Sequence, residues 1–539
     1  MGRTERFIDP KSSNATARTA NSSTSTNSSL LGDLYTTSSD NTKWDTQFSL
    51  YYSRSLGLHN LNVSAIVNAQ STKSESTSAH YRGFPSGAFH SPNYAAEIYQ
   101  KPSKSESLKR LVGFLLSANY TWNDIYLADL SVRFDGSSEF GSDQKWAPFW
   151  SAGVGLNVHN YSFLKDNDMI NQVKVRVSYG QTGKVNFPSY SARTQLKALG
   201  NHNLKWETTN KLNMGTDLQF WNERISLNFD YYYNKTVDLI TDVSLPASAG
   251  FTSYKDNLGE TLNKGFDIQV RFDVYRDKDW NVSLWGNLNH NRNEILKISD
   301  ALRAYNERVN EKYEAAEDAQ GNVNLSAYGS EYSEPEMKYE EGASLTSIFA
   351  IRSLGIDPMT GNELFLYRDG SVSSLWKATE TVRVGDEEPK ASGSFGVNLT
   401  YKNLTLFASF AYDWGKQTYN QTLVDGVENA DIENSNVDRR VLTQRWQKPG
   451  DIAPLRNIKD MNTSTMPTSR FVQDDNELSL SALTLSYDFN TDWLKKIRLK
   501  MLRLELSTND LFRASTVRQE RGTSYPFART FNFSLRATF

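Results

Sequence analysis

Apolar and polar side chains alternate with a period of two along most of this 539-residue chain. The alternation is clearest over residues 114–122, 225–233, 266–274, 395–401 and 404–412. Because successive side chains of a β-strand point to opposite faces, this period predicts strands with one apolar and one polar face. In a membrane β-barrel the apolar face meets lipid, whereas in a soluble β-sandwich it forms the core. Periodicity alone leaves both folds open.

The lengths of the connections favour the barrel. Short turns near residues 55–58, 123–124, 222–223, 276–279 and 402–403 largely alternate with long polar connections. The long connections cover about 72–107, 136–147, 183–204, 241–260, 298–343, 420–473 and 512–526. A barrel with tight turns at one end and long loops at the other produces this alternation, and a sandwich does not require it. The sequence therefore predicts an all-β fold, a transmembrane antiparallel β-barrel.

Composition narrows the function. Lys and Arg number 59 and Asp and Glu number 62, so the chain lacks the basic excess that nucleic-acid binding calls for. The absence of cysteine excludes a disulfide scaffold and a cysteine-ligated metal. Aromatic residues make up 12% of the chain, which fits a barrel with aromatic girdles at both membrane interfaces. No apolar run approaches the roughly 18 residues of a transmembrane helix.

A count of strand crossings predicts an incomplete barrel. Tracing back from a last strand at 529–539 gives about 17 crossings, provided that 344–353 and 363–368 are both counted. Because single-chain bacterial barrels have an even number of strands, the odd count predicts that upstream strands are missing. Residues 1–43, rich in Ser, Thr and Asn, are predicted to form an outer loop or chain-start segment. Residues 44–539 are predicted to form the barrel, with long loops at 72–107, 298–343 and 420–473, and a helix at 301–320.

The C-terminal strand carries the sharpest single signal. Phe531, Phe533, Leu535 and the terminal Phe539 alternate with polar residues. An amphipathic last strand that ends in Phe resembles the signal by which the barrel assembly machinery of the outer membrane recognises its substrates. The alternative is the edge strand of a soluble sheet that happens to end in Phe.

A series of short motifs resembles one family, in family order over roughly residues 40–539. They include R-F-D-G-S-S at 133–138, S-Y-G-Q-T-G at 178–183, L-K-W-E at 204–207, L-P at 245–246 with G-F at 250–251, N-K-G-F at 263–266, R-W-Q-K-P-G-D at 445–451, S-R-F-V at 469–472 and N-D-L-F at 509–512. Each motif is weak alone, but the ordered series resembles the SusC/RagA-like TonB-linked outer-membrane proteins of Bacteroidetes.

This resemblance implies a 22-stranded barrel of which the chain is the C-terminal portion. In the family an N-terminal plug sits inside the barrel, a SusD-like lipoprotein covers the outer mouth, and TonB powers import of glycans or peptides. The chain is expected to depart from the family pattern by lacking the plug, the TonB-binding segment and the first strands. We therefore expect the plug and first strands, a SusD-like lipoprotein, TonB, the assembly machinery and outer-membrane lipid as partners, and no cofactor.

Aromatic residues in loops or near strand ends are candidate substrate contacts, because they stack on sugar rings or hold peptide side chains. The candidates are Trp146, Trp150, Tyr254, Tyr328, Trp376 and Trp414. The alternative for each is an interfacial girdle or loop packing.

Other chemistry is weakly indicated. Asp357 and Glu363 flank a stretch that loosely resembles a calcium loop, although a β-turn containing Pro and Gly explains the same residues. The six histidines lack zinc-ligand spacing, and no nucleophile motif is present, so we expect no enzyme. Two further functions stay open at this point. One is a passive porin, and the other is a surface-displayed β-rich adhesin.

Overall fold

The structure is a computed structural model, dominated by one large antiparallel sheet. It describes residues 2–12, 31–140, 145–165, 167–184, 206–244, 253–257, 259–316, 331–432, 436–457, 464–489, 494, 499–518 and 529–538. The long sheet, called the wall, contains β1 (Gly2–Ile8), β2 (Asp33–Leu56), β3 (His59–Arg82), β4 (Glu97–Trp122), β5 (Tyr126–Ser137), β6 (Trp146–Asn157), β7 (Ile170–Lys184), β8 (Glu207–Phe220) and β9 (Ile225–Val237). It continues through β12 (Glu260–Arg276), β13 (Trp280–Lys297), β19 (Ala391–Tyr401), β20 (Leu404–Tyr419), β21 (Val472–Phe489), β22 (Met501–Asn509), β23 (Arg513–Ser515) and β24 (Thr530–Thr538).

The remaining elements lie in the connections between wall strands. These are β10 (Ile240–Ser244), β11 (Ser253–Asn257), β14 (Ser347–Ala350), β15 (Arg352–Ile356), β16 (Glu363–Leu366), β17 (Val372–Ser373), β18 (Val382–Asp386) and the helix α1 (Asp300–Ala316). The predicted helix at 301–320 is thereby confirmed within the described residues. Short helical turns occur at Gln421–Leu423, Val424–Glu428 and Arg440–Thr443. Within the described residues, no helix is long and apolar enough to cross a membrane.

The wall is an antiparallel meander of 17 strands within the described residues. Apart from β22 and β23, each wall strand pairs with the next wall strand along the chain, including β9 with β12 and β13 with β19. β22 and β23 both pair with β21 and continue one another along it, so they share one position in the sheet. Because all neighbours are antiparallel, the strand connections alternate between two ends of the wall.

One end of the wall, the turn end, has tight connections, and the opposite end, the loop end, has long ones. The turns at 57–58, 123–125, 221–224 and 402–403 lie at the turn end, as the sequence predicted. Asn123, Asp124 and Lys402 adopt positive φ angles of 54°, 54° and 53° there. The left-handed conformation suits tight hairpins, because its twist matches that of the flanking strands.

Two edges of the wall lack a described partner. β1 pairs only with Asp33–Ser39 of β2, and β24 pairs only with β22. Across the part of the chain that the structure describes, no pairing joins β1 or the rest of β2 to β24. The wall is thus an open sheet of barrel-type strands.

Two predicted crossings are wrong. Residues 344–353 and 363–368 do not enter the wall, because β13 pairs directly with β19 and the chain between them folds separately. In this insertion, residues 298–390, β14 pairs with β18, and β16 pairs with β15 and β17. These short strands carry the same alternation as wall strands, so periodicity could not assign them to a separate sheet.

The predicted loop at 72–107 and the predicted segment at 1–43 also need correction. β3 extends through Arg82 and β4 begins at Glu97, so the connection covers only 83–96. β1 and the first half of β2 occupy most of the described part of 1–43. These stretches are rich in Ser, Thr and charged residues, so they lack the apolar periodicity that marks a strand, yet the ladder hydrogen bonds still satisfy their backbone.

Candidate substrate conduit and cap

The two faces of the wall differ in the way that a bilayer demands. Apolar side chains on one face are exposed to the surroundings, for example Leu116, Leu130, Val154 and Leu284. A soluble protein rarely exposes so large a contiguous apolar surface, whereas in a membrane this face contacts lipid. We call this face outward and the opposite, polar face lumenal.

Aromatic pairs mark two levels on the outward face. At the turn end, Trp122 stacks on Tyr126 with ring centroids 5.1 Å apart, and Trp280 lies 4.3 Å from Tyr401. Nearer the loop end lie the pairs Phe114–Trp146, Trp150–Tyr179 and Phe395–Tyr412, at 6.1, 5.8 and 6.1 Å. Two aromatic belts on a barrel of this kind mark the two membrane interfaces.

The lumenal face carries ion pairs, both between neighbouring strands and within one strand. Near the turn end Arg503 donates from Nε and Nη2 to the two carboxylate oxygens of Asp488, at 2.6 and 2.7 Å. Arg271 pairs with Asp273 at 3.2 Å. Such groups would be costly against lipid, so their position confirms that this face is the wet one.

The loop end carries a folded cap, which we define as the insertion (298–390) together with the connection 420–471. The insertion and Met466 of the connection share a core of Val309, Tyr313, Ala316, Ile351, Phe365, Trp376, Ala378 and Met466. The connection has its own small core of Val427, Val441 and Leu455. The cap therefore has the compact packing of a soluble domain.

Arg470 joins the two parts of the cap to each other. It lies two residues before the start of β21, and its Nη2 donates to Glu363 Oε2 at 2.9 Å and to Glu428 Oε1 at 2.6 Å. Its Nη1 donates to the carbonyl of Pro454 at 2.6 Å. All three charged side chains are nearly buried. Burial by itself lowers the pKa of Arg470, but the two carboxylates outweigh this effect and raise it.

A glycine and a tryptophan provide a second contact within the cap. Gly361 adopts φ = +74° in the turn before β16, and the Trp446 ring lies 2.5 Å from the position that a Cβ would take there. The Trp446 Nε1 donates to the carbonyl of Pro358 at 2.9 Å. The R-W-Q-K-P-G-D motif thus packs on the D-P-M-T-G turn, which gives that motif a structural role.

Lys338 is buried inside the insertion. Its ammonium donates to Asn310 Oδ1 at 2.6 Å, Ala378 O at 2.9 Å and Thr381 Oγ1 at 2.5 Å. Burial, with a further contribution from the positive charge of Arg368, lowers the pKa of Lys338 to about 8. We therefore expect the stability of the insertion to depend on pH in the alkaline range.

Two clefts open at the rim of the wall. One, of about 420 Å³, lies at the loop end of β19, which is shorter there than the neighbouring strands. Trp414 lines this cleft with Arg292, Glu388 and Asp474. The other, of about 300 Å³, lies between the insertion and the end of β20. It combines the carboxylates Glu334, Glu336 and Glu387 with the apolar side chains of Leu345, Ile348 and Phe349. Both clefts offer charged and apolar groups side by side.

The predicted aromatic contacts fall into different surroundings. Trp376 is 3% exposed in the cap core, and its Nε1 donates to the Pro467 carbonyl at 3.0 Å. Trp146 and Trp150 belong to the outward aromatic belt near the loop end. Trp414 is 64% exposed and lines the larger cleft. The first three positions match the packing and girdle alternatives, and a substrate contact at Trp414 stays a prediction.

Five other predicted positions are less informative. Tyr254 lies in β11, opposite Val243 of β10. Tyr328 and Phe539 lie outside the described residues. Asp357 accepts hydrogen bonds from Met359 N and Thr360 Oγ1, at 3.0 and 2.7 Å, as in an Asx turn. Glu363 is bonded to Arg470 and Ser353, so the two calcium candidates have separate partners.

No group of three metal-ligating side chains occurs in the described ranges. The C-terminal apolar residues, in contrast, lie where the sequence placed them. Phe531, Phe533 and Leu535 are all exposed on β24, the edge strand of the wall. Their role in assembly stays a prediction.

Sequence reasoning missed Arg470 and Glu428 as key residues. Both lie in long polar connections, where charged side chains are expected to be solvated. The only signal was that Arg470 belongs to a family motif directly before a strand. Burial of both partners, which decides their role, depends on contacts 107 and 42 residues apart in sequence.

Comparison with known proteins agrees with this geometry. The family model described as TonB dependent receptor-like, beta-barrel matches residues 5–340, more than half of the chain. TonB-dependent receptor P3 of Formosa agariphila is 27% identical over 485 residues, 86% of this chain and 47% of that protein. TonB-dependent receptor SusC of Bacteroides thetaiotaomicron is 28% identical over 286 residues, 48% of this chain and 28% of that protein.

Solved structures agree in fold. The RagAB peptide importer in the "open-open" state superimposes with a TM-score of 0.78 at 22% identity, covering 96% of this chain and 54% of that chain. A second structure, of the RagAB peptide transporter, gives a TM-score of 0.75 over 90% of this chain.

These matches also set the extent of the chain. It spans about half the length of the curated relatives it matches. The motif series, the two-faced wall and the matched family model all point the same way. The chain belongs to the TonB-dependent receptor-like β-barrel family, with relatives of the SusC/RagA type, and is a protein of the bacterial outer membrane.

Proposed function

We propose that the chain forms the barrel wall and outer cap of a TonB-powered importer that takes up oligomeric nutrients across the outer membrane. One observation carries the proposal. A wall with an outward apolar face and a charged lumenal face has a folded cap at its loop end, and Arg470 joins the two parts of that cap. A cap built this way suits capture of a bulky ligand above a conduit.

The open edges of the wall support the proposal that a partner completes the barrel. β1 and β24 run in opposite directions and each lacks a described partner on one side. An even number of antiparallel strands would join these edges, and six would complete a 22-stranded barrel. In this proposal a further polypeptide segment supplies the additional strands and the plug, and TonB acts through that plug.

The clefts favour an oligopeptide over a neutral glycan as the ligand. An oligopeptide carries ammonium, carboxylate and apolar groups, which match the mixture of carboxylates, cations and apolar side chains at the rim. A neutral glycan instead favours aromatic platforms and uncharged hydrogen-bonding groups. By the same proposal a SusD-like lipoprotein closes the loop end over the bound ligand.

Uptake by the native organism tests the proposal. Cells with and without the gene would receive a fluorescent oligopeptide mixture or a fluorescent oligosaccharide mixture, each with TonB present or deleted. We expect uptake of the peptide probe to require both the gene and TonB. Uptake that persists without TonB would instead support the passive porin. Loss of surface adhesion without any loss of uptake would support the adhesin.

A further inference from the structure

Four glycines of the lumenal face share an arrangement that the conduit function does not by itself require. A glycine on the lumenal face would be expected to be exposed, because it has no side chain and the lumen is open. All four are nevertheless buried: Gly113, Gly215, Gly265 and Gly396. In each case a long side chain from one neighbouring strand lies across the glycine toward the strand on its far side. We call each such set a stride, because the long side chain steps over the middle strand.

The clearest stride joins β7, β8 and β9. Arg176, Gly215 and Asp230 are directly opposite one another in register. The guanidinium of Arg176 passes over Gly215, and its Nη2 donates to Asp230. Its Nη1 donates to Asp217 on β8. A Cβ at Gly215 would lie 2.6 Å from Arg176 Nε, so only glycine leaves room for this path.

The same arrangement recurs on β3, β4 and β5. Gly113 lies opposite Asn68 on one side and Asp135 on the other. Arg133, two residues from Asp135 on β5, donates from Nη2 across Gly113 to Asn68 Oδ1 at 3.4 Å. A Cβ at Gly113 would lie 2.8 Å from that Nη2 and 2.6 Å from Asp135 Oδ1.

Aromatic side chains make the other two strides. Tyr232 of β9 crosses Gly265 of β12, and its hydroxyl donates to Asn291 Oδ1 of β13 at 3.0 Å. The Trp285 ring of β13 lies across Gly396 of β19 and stacks on Phe407 of β20, with centroids 6.2 Å apart and ring planes 8° apart. The Cβ of a larger residue would lie 2.6 Å from the Tyr232 hydroxyl or 2.7 Å from the Trp285 ring.

The strides have one physical consequence in common. A long lumenal side chain normally extends away from the sheet, because side chains stand roughly perpendicular to it. Here four of the largest lumenal side chains instead lie along the wall and satisfy their polar or aromatic contacts there. A side chain that is hydrogen-bonded or stacked against the wall loses conformational entropy, but it is then held in one conformation and leaves the centre of the lumen free.

We propose that Gly113, Gly215, Gly265 and Gly396 keep the conduit clear by holding Arg133, Arg176, Tyr232 and Trp285 flat against the wall. The inference rests on the proposed function, since a conduit must admit a plug or a ligand. It assigns these glycines and their partners the role of setting the free cross-section of the lumen. The alternative is that the strides merely fasten three strands together.

Gly113 and Gly215 are the best positions for a test. The three nearest atoms around a Cβ at either position all belong to side chains, so the backbone need not move. At Gly265 and Gly396 backbone carbonyl oxygens are also close, and substitution there would disturb the sheet. Gly286 is a matched control on the outward face, where a Cβ would meet Phe395 Cβ at an ordinary 3.6 Å.

The experiment measures ion conductance of the complete purified receptor in planar bilayers, with KCl as the probe and urea to displace the plug. We expect Gly215→Leu to lower the conductance, because the leucine drives the Arg176 side chain into the lumen. Adding Arg176→Ala should restore the conductance. Gly286→Leu should leave it unchanged, and all variants should keep the gel mobility of a folded barrel before boiling.

Three outcomes would overturn the inference. The first is equal conductance of Gly215→Leu and the unmodified receptor. The second is a conductance that stays low when Arg176→Ala is added, since the arginine would then be irrelevant. The third is loss of folded mobility in both Gly215→Leu and Gly113→Leu, which would assign the glycines to sheet assembly. None of these measurements involves TonB, so failure of TonB-dependent uptake counts separately against the proposed function.

Discussion

The wall and the cap of this protein place their apolar side chains in opposite positions. In the wall, Leu130 and Leu284 are exposed at 53% and 46%, while charged residues face inward. In the cap, Ile351 and Trp376 are almost completely buried. The difference follows from the surrounding medium, because lipid replaces the core for the wall, whereas the cap must build its own core in water.

The wall and the cap also differ in how far apart in the sequence the residues that determine their structure lie. In the wall, the position of a residue within its own strand decides whether its side chain contacts lipid, and neighbouring strands pair in chain order. In the cap, burial depends on contacts such as Arg470 with Glu363, which are 107 residues apart. We therefore expect substitutions in the cap to act locally and strongly, and substitutions in the wall to depend on the face.

Replacing Trp376 by alanine should give the largest effect on the cap. Its ring contacts Tyr313 at 5.1 Å, and its Nε1 donates to Pro467. Loss of a buried tryptophan typically costs about 3–5 kcal/mol, because a cavity is left behind. Hydrogen exchange of α1 should accelerate accordingly, while Trp414→Ala, at an exposed position, should change it little. Equal protection of α1 in both variants would contradict a cap core centred on Trp376.

Arg470→Met should loosen the contact between the two parts of the cap. Removing one partner of a buried ion pair typically costs about 3–5 kcal/mol, since the remaining charge stays buried. Here Glu363 and Glu428 would both lose the guanidinium donor. Ser353 would still lie beside Glu363, and the more distant Arg456 beside Glu428. Hydrogen exchange should increase in both parts of the cap, with the wall strands unaffected.

The matched control for that variant is Arg503→Met, at the lumenal pair with Asp488. Both side chains are more than one-third exposed, so this pair should contribute only about 0–1 kcal/mol. A response of the cap to Arg503→Met as large as that to Arg470→Met would remove the distinction between buried and solvated pairs.

Adjacent residues of β5 test the two faces of the wall directly. Leu130 points outward and Ser131 points into the lumen. Arginine on the lipid face of a barrel costs up to about 2–4 kcal/mol near the bilayer centre, and little in the lumen. Leu130→Arg should therefore lower the urea midpoint of the receptor in lipid vesicles, and Ser131→Arg should not. The reverse order would mean that the faces are assigned wrongly.

The sequence predicted the wall well and the cap poorly for the same reason. The alternation over 404–412 and the hairpin at Asn123 are local signals, and the structure has a strand and a tight turn there. The strand at Glu363–Leu366 shows a similar alternation but joins a three-stranded sheet in the insertion. Among the candidate site residues, Trp376 and Trp414 could not be separated, because burial of a loop aromatic is fixed by distant chain segments.

The pH dependence of the cap offers the smallest and finest test. The pKa of Lys338 is lowered from an ordinary 10.5 to about 8, first by burial and then by Arg368. Between about pH 8 and pH 10.5 the unfolded cap binds more protons than the folded one, so cap stability should rise with pH in this window. The penalty for holding the charged lysine is fully present below about pH 8 and at most about 3 kcal/mol.

Hydrogen exchange of α1, corrected for the intrinsic effect of pH on exchange rates, would measure this rise. Lys338→Met provides the control, because it removes the titrating group and should abolish this part of the pH dependence. Three acceptors surround the ammonium, and they favour its charged form against burial. A flat profile in the unmodified protein would therefore mean that these hydrogen bonds fully offset the cost of burial. The interior of the cap would then tolerate a permanent charge, whereas the wall tolerates charges only on its lumenal face.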